Sequence, residues 1–141
     1  MSRSPDPDAL ALRPDSSVAV LTGAGISAES GIHTFRDAGG LWDQYDMEEV
    51  ATEPGFLADP ARAWKLYSEL RAHASTCRPN AAHAALATLE ARLEERGRFT
   101  LITQNVDGLH QKAGSRHVIP IHGSLFMSRC SAPECPTAGD P

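Results

Sequence analysis

Closely spaced glycines open the stretch of sequence best suited to chemistry. Gly23-Ala24-Gly25-Ile26-Ser27-Ala28 follows a short apolar run and fits the pattern G-x-G-x-x-A. In such a turn the first glycine allows a tight bend, and the second lets backbone N–H groups approach a pyrophosphate. The small third residue keeps the next helix close to its strand. The pattern alone is weak, and an ordinary strand–turn–helix corner explains it equally well.

The residues after the glycines argue against a hydride-transferring dehydrogenase. Such enzymes place an acidic residue about 20 positions further on, at the end of a second strand. Here the equivalent region, Gly39–Asp43, has no predicted strand before it. The glycines, Thr34–Asp37 and Gly40–Trp42 are instead predicted to form one long loop, and loops of that length in compact domains are usually functional.

Polar side chains also follow two later apolar runs. Asn105 and Asp107 come directly after Phe99–Thr103, and His122 follows the run that begins at His117. Taken singly, the first two could be turn formers and His122 an exposed loop histidine. Because ligands of open α/β sheets gather at the carboxyl ends of the strands, the three clusters together predict a site.

Strands alternating with helices are predicted to position these residues. Asp59 suits the N-cap of one helix, with Pro60 at its first position. The alternation predicts an α/β fold with a parallel sheet. The predicted strands are Val18–Thr22, Phe99–Thr103 and His117–Ile121, and the predicted helices are Asp59–His73 and Asn80–Arg96.

Composition limits the class of protein. The 141 residues, 41% of them hydrophobic, suffice for one compact domain. A net charge of −5 gives no support to nucleic-acid binding, and no apolar run approaches the roughly 20 residues that span a bilayer. Three cysteines, an odd number, are typical of a reduced chain. We therefore expect a cytoplasmic protein with no nucleic-acid or membrane partner.

Four motifs in order make the sequence resemble the sirtuins, which are NAD-dependent protein deacylases. They are GAGISAESGI, TFRDAGGLW, TQNVDGLH and HGS, within a resemblance that extends from Ser17 to Cys135. The resemblance implies a Rossmann-like parallel sheet with flanking helices at residues 17–128, after a flexible arm at residues 1–16. It also implies that the bond between nicotinamide and ribose is broken, instead of a hydride being moved.

The resemblance further implies roles for individual residues. Asn105 and Asp107 would hold the nicotinamide amide, Gln104 would contact the ribose, and His122 would be the general base. In the family's mechanism the acyl-lysine carbonyl oxygen attacks C1′ of the ribose, and the products are nicotinamide, free lysine and O-acyl-ADP-ribose. The implied cofactor-binding residues are Gly23, Ala24, Gly25, Ser27, Ala28, Thr34, Phe35, Arg36, Trp42, Gln104, Asn105 and Asp107.

Acyl preference also follows from the resemblance. Ala51 and Tyr67 are similar to the residues that line the pocket of demalonylases and desuccinylases, in which a Tyr-x-x-Arg pair grips a distal carboxylate. Here Leu70 occupies the arginine position and Arg71 comes one residue later. Since i+3 and i+4 both face residue i on a helix, Arg71 could substitute. The alternative is a core Tyr67 and a solvated Arg71.

The zinc site departs from the family's pattern. Sirtuins carry two Cys-x-x-Cys pairs, whereas Cys130 and Cys135 are separated by four residues and no second pair follows. Residues 129–141 thus resemble the start of a zinc module, and Cys77 is interpreted as an incidental free thiol. His33 replaces the family's proline, and the six histidines are not expected to cluster.

These departures suggest a truncated sirtuin. We expect the 141-residue chain alone to fold poorly, to bind little zinc, to bind NAD weakly and to be nearly inactive, because a parallel sheet cut midway exposes apolar faces. Two other functions remain open on the sequence: a non-catalytic NAD-binding remnant and a sirtuin-like ADP-ribosyltransferase.

Overall fold

The computed structural model describes residues 12, 15–32, 45–93, 98–132 and 134–135. Most of the predicted N-terminal arm and the C-terminal residues after Cys135 therefore lie outside the described residues. So does the predicted helical stretch after Leu93.

A parallel sheet of three strands forms the centre of the structure, as predicted. The strands are β1 (Ser17–Thr22), β2 (Arg98–Thr103) and β3 (Val118–Pro120), in the order β1-β2-β3. In the register of the sheet Thr22 lies beside Thr103, and Thr103 lies beside Pro120. The carboxyl ends of all three strands therefore lie level at one edge.

Two long helices confirm the predicted elements. The helix α3 (Pro60–Thr76) begins as predicted, because the Asp59 side chain accepts a hydrogen bond from the Arg62 N–H at 3.0 Å. It continues one turn beyond the predicted His73. The helix α4 (Ala81–Leu93) begins one residue later than predicted, since the Asn80 side chain caps it by accepting from the Ala82 N–H at 3.0 Å.

Shorter helices were not predicted. Part of the stretch interpreted as a loop, Ala24–Ser30, is a 3₁₀ helix that ends at Gly31, whose φ of 86° suits glycine. Three α-helices of four to six residues complete the described elements. They are α1 (Met47–Val50), α2 (Glu53–Ala58) and α5 (Leu109–Lys112). No helix in the described ranges has the length and apolar character needed to cross a membrane.

The core lies between the sheet and α4. Leu101, at the centre of β2, is fully buried and packs with Phe99 and Leu93. On the opposite face of the sheet, Leu21 is 66% exposed and Ile119 50% exposed. Among the described residues, this second face is therefore open, although parallel sheets are usually covered on both sides.

Candidate active site

The turn after β1 supplies the first part of the site. Gly23 and Ala24 are partly buried, Gly25 and Ala28 are exposed, and Ser27 is fully buried. A Cβ at Gly23 would lie 3.1 Å from Oε1 of Gln104, so a glycine lets this turn approach the residues after β2. A Cβ at Gly25 would meet nothing within 4 Å, which leaves that side of the turn open.

A polar cluster joins this turn to the residues after β2. The Ser27 hydroxyl donates to Oδ2 of Asp107 at 2.7 Å. The Asn105 side-chain amide donates to the Gly23 carbonyl and to Oγ of Ser27, both at 3.1 Å. The Leu109 N–H donates to the other carboxylate oxygen of Asp107 at 2.9 Å. The structure thus brings together Ser27, Asn105 and Asp107, as the sequence predicts for residues at the same edge.

Two buried histidines lie beneath this cluster. Their position at the site was not predicted from the sequence. Nε2 of His83 lies 3.5 Å from Oγ of Ser27, and Nε2 of His110 lies 2.9 Å from Oγ1 of Thr22. The two rings are 4.8 Å apart between centroids, so the expectation that the histidines do not cluster is wrong. They come from α4 and α5, and no spacing in the sequence signals that packing would bring them together.

Burial controls the charge of both histidines. Desolvation lowers the pKa of His83, although the nearby Asp107 carboxylate partly raises it. Desolvation also lowers the pKa of His110, and proximity to His83 lowers it further. Because the Thr22 hydroxyl donates to Oγ1 of Thr103 at 2.8 Å, it accepts from the His110 Nε2–H. Nδ1 of His110 is buried without a hydrogen-bond partner among the described residues, and burial favours the neutral form of both rings.

His122 follows β3 and is exposed. Its Nδ1 lies 3.1 Å from the Gln104 carbonyl oxygen, and a carbonyl can only accept. The proton of the neutral ring is therefore on Nδ1, and Nε2 carries a free lone pair. After His122 the chain turns at Gly123, whose φ is 79°. This geometry suits a proton acceptor whose ring is held by the loop after β2.

Two cavities flank the residues that follow His122. The smaller, of about 50 Å³, is lined by Asn105, Asp107, Ser27, Leu70 and Leu125 among others. The larger, of about 670 Å³, is lined by the three predicted substrate residues, Ala51, Tyr67 and Arg71. Tyr67 and Arg71 are both partly exposed, so Tyr67 is not a core residue. Leu125 lines both cavities.

The predicted zinc ligands, Cys130 and Cys135, belong to no metal-binding group of three or more side chains in the part of the chain that the structure describes. Cys130 is exposed and lines the larger cavity, while Cys135 is partly exposed. Among the described residues, no group of three or more histidine, cysteine, aspartate or glutamate side chains could hold a metal. Two thiolates do not make a closed structural zinc site. Cys77 is a buried free thiol with Sγ 3.5 Å from the His73 carbonyl.

Four predicted cofactor residues cannot be placed. Thr34, Phe35, Arg36 and Trp42 lie outside the described residues, as does His33.

The fold and site define a class: an α/β protein whose ligand site lies at the carboxyl edge of a parallel sheet, behind a glycine-rich turn. The family model described as "Sir2 family" matches residues 23–140, and the chain belongs to this family.

Named relatives and solved structures agree with this membership. An "NAD-dependent protein deacylase" of Caulobacter vibrioides is 57% identical over 114 residues, which are 80% of this chain and 48% of that protein. The mitochondrial "NAD-dependent protein deacylase sirtuin-5" of Xenopus tropicalis is 50% identical over 116 residues, 82% of this chain and 38% of that protein. The chain thus spans about half the length or less of these curated relatives.

The structural neighbours include complexes with nucleotides. A Sir2 homologue in complex with NAD has a TM-score of 0.72 at 50% identity, covering 83% of this chain and 44% of that one. A Sir2 homologue mutant in complex with ADP-ribose has a TM-score of 0.74 at 49% identity, with 83% and 45% coverage. These likenesses confirm the predicted Rossmann-like fold.

Proposed function

We propose that this chain carries the nicotinamide-binding and base-bearing part of an NAD-dependent protein-lysine deacylase. The observation that supports this most is the convergence of three loops at one edge of the sheet. They bring together Ser27 after β1, Asn105 and Asp107 after β2, and His122 after β3. The products would be nicotinamide, free lysine and O-acyl-ADP-ribose, and the partners acyl-lysine proteins.

The lining of the small cavity suits the carboxamide of a nicotinamide ring. It places a carboxylate acceptor and an amide beside apolar side chains, the combination that a carboxamide on an aromatic ring requires. Asp107 accepts only two hydrogen bonds from described residues, and a carboxylate has lone pairs for about four. When bound, NAD supplies the bond between nicotinamide and ribose that is broken in the reaction. The chain's own contribution is to hold the carboxamide with Asn105 and Asp107.

His122 is proposed as the general base. Its Nδ1–H is held by the Gln104 carbonyl, so Nε2 is the atom that accepts a proton from a ribose hydroxyl. Gln104 therefore orients the base through its backbone. Its side chain faces the Gly23 turn, in keeping with the proposed ribose contact.

The large cavity is proposed as the acyl-lysine site. Ala51 is small and leaves room, and Tyr67 and Arg71 supply polar groups to the wall. Two nitrogens of the Arg71 guanidinium contact other residues, but Nη1 makes no hydrogen bond to any described residue. This Nη1 could receive a distal carboxylate, so we propose that acidic acyl groups such as succinyl and malonyl are accepted beside acetyl.

Zinc and location are further parts of the proposal. Cys130 and Cys135 would supply two thiolates of a zinc site, within a module that begins near residue 129, and its remaining ligands would have to come from outside the described residues. The chain has three cysteines, an odd number, which supports a reducing compartment such as the cytoplasm.

The test is release of nicotinamide that depends on an acyl-lysine peptide, measured on a version of the chain extended to the length of its relatives, because the chain alone is expected to be nearly inactive. We expect His122→Ala to lower this release by about 10²- to 10⁴-fold while NAD binding is retained, because a positioned base contributes that much. The matched control is Arg92→Ala, an exposed cation on α4 that is remote in sequence from the site. Deacylation by His122→Ala within a few-fold of the parent would remove His122 from the mechanism.

The same assay separates the other functions. Release of nicotinamide without acyl-lysine peptide, with ADP-ribose transferred to another acceptor, would mark an ADP-ribosyltransferase. Binding of NAD without any release would mark a non-catalytic remnant.

A further inference from the structure

Residues of α3 line both cavities. Trp64, Tyr67 and Arg71, at helical spacing, line the large cavity. Leu70, one residue before Arg71, lines the small cavity instead. The structure therefore places the arginine, and not the leucine, on the side of the proposed acyl site.

The Arg71 guanidinium is fixed by three contacts. Its Nε donates to the Leu125 carbonyl, and its Nη2 donates to Oγ of Ser128 at 2.9 Å. Its central carbon lies 5.2 Å from the centroid of the Trp64 ring, within the range of a cation–π interaction. Binding a substrate carboxylate would not by itself require the hydrogen bonds that Arg71 makes to Leu125 and Ser128.

Leu125 is the residue that these contacts hold. It is buried, with 7% of its surface exposed, and it lines both cavities. Its N–H donates to the Val106 carbonyl at 2.9 Å, between Asn105 and Asp107. The backbone of Leu125 is therefore pinned from two sides: to the proposed nicotinamide loop by its N–H, and to α3 by its carbonyl.

We infer that Arg71 is a positioning residue that sets the place of Leu125, the wall shared by the two cavities, and so couples binding in one cavity to binding in the other. The inference rests on the proposed function for the identity of the two ligands. It assigns Arg71 an effect on nicotinamide that does not depend on the charge of the acyl group.

This role differs measurably from that of a carboxylate receptor. A receptor alone would affect only acidic acyl groups, and its loss would leave nicotinamide binding unchanged. A positioning residue acts on whatever fills either cavity, because the wall moves for all ligands. Coupling between two sites is typically about 5- to 150-fold.

The experiment measures nicotinamide binding by ligand-observed NMR and nicotinamide inhibition with acetyl-lysine and succinyl-lysine peptides. Arg71→Met should weaken both at least about 5-fold with either peptide. Arg71→Lys keeps the charge over Trp64 but loses the fork of two donors, so it should recover only part of the effect. Arg92→Met on α4 is the control and should change neither, and thermal melting of each variant shows that it is folded.

A double-mutant cycle identifies the residue through which Arg71 acts. If Arg71 acts through Leu125, Arg71→Met should add less than about 2-fold in a Leu125→Ala background, where the wall is already removed. Full additivity of the two substitutions, or nicotinamide binding by Arg71→Met equal to the parent, overturns the inference. A parent that binds nicotinamide in an Arg71-dependent way but removes no acyl group would sink the proposed function and leave the positioning role intact.

Discussion

Replacing Glu90 by glutamine should be one of the most destabilising single-atom changes in the described part of the chain. The Glu90 side chain on α4 is 2% exposed, and it accepts hydrogen bonds from the two residues just before β3. Its oxygens accept from the Arg116 N–H at 2.9 Å, the His117 N–H at 2.6 Å and Nδ1 of His117 at 2.8 Å. One carboxylate thus satisfies a ring N–H and two backbone N–H groups at the entry of a strand that leads to His122.

The expected loss follows from these contacts. Glutamine has nearly the same shape, but one of its two terminal groups is a donor, so at least one N–H would face another N–H. Hydrogen bonds to a charged group contribute about 1.5–3 kcal/mol each, and a buried donor left without a partner costs about 1–3 kcal/mol. We expect the free energy of unfolding to fall by about 2–4 kcal/mol. At about 4 °C per kcal/mol this lowers the melting temperature by roughly 8–16 °C.

The pH dependence has a defined sign. Burial alone would raise the pKa of Glu90, but hydrogen bonds from the backbone of His117 and Arg116, and from the His117 ring, outweigh it and lower the pKa. A carboxylate with a lowered pKa in the folded state adds stability above its unfolded pKa of about 4.3, and this stability is lost as the pH falls through the folded value. The difference in stability between parent and Glu90→Gln should therefore shrink below about pH 4.

Urea unfolding at several pH values is the assay, with Glu48→Gln, an exposed glutamate on α1, as the control. We expect the control to stay within about 0.5 kcal/mol of the parent. If Glu90→Gln behaves like the control at pH 7, or if its deficit in stability grows as the pH falls below about 4, the hydrogen bonds to Glu90 do not stabilise the fold in the way described.

Two further predictions concern the cavities. Asp107→Asn keeps the shape of the Asp107 side chain but removes an acceptor for Ser27 or for the Leu109 N–H, so inhibition by added nicotinamide should weaken at least about 10-fold; equal inhibition of variant and parent in the deacylation assay would contradict this. Gly55→Ala would drive a Cβ into the backbone carbonyl of Glu49, so we expect the free energy of unfolding to fall by about 1–3 kcal/mol and the Km for acyl peptide to rise. A variant with the melting temperature of the parent would show that α1 and α2 move apart freely.

The regular elements could be predicted because local signals agreed with the packing. Apolar runs ending in polar residues gave β1 and β2, and Asp59 with Pro60 marked the start of α3. The strand β3 is shorter than predicted at both ends. The helices α1 and α2 were missed because helices of four and six residues are too short to show periodicity.

Only the site residues that directly follow strands could be predicted from the sequence. Asn105, Asp107 and His122 follow strands of one parallel sheet, so their meeting at one edge follows from topology. The pair of His83 and His110 depends on how α4 and α5 pack, and this leaves no mark on spacing along the chain. Nor could the sequence show that Arg71 lines the large cavity and Leu70 the small one, because this depends on the orientation of α3.

Hydrogen bonds join the loops of the site to one another, so the effects of substitutions in different loops depend on each other. The Asn105 side chain donates to the Gly23 carbonyl, so the loop after β2 is bonded to the turn after β1. His122 and Leu125 bond in turn to backbone carbonyls of that same loop, at Gln104 and Val106. The loop after β2 is therefore the shared support of the other two. Substitutions in the turn after β1 and in the segment after β3 should combine non-additively, although no hydrogen bond between described residues joins these two segments directly, because each shifts the same intervening residues.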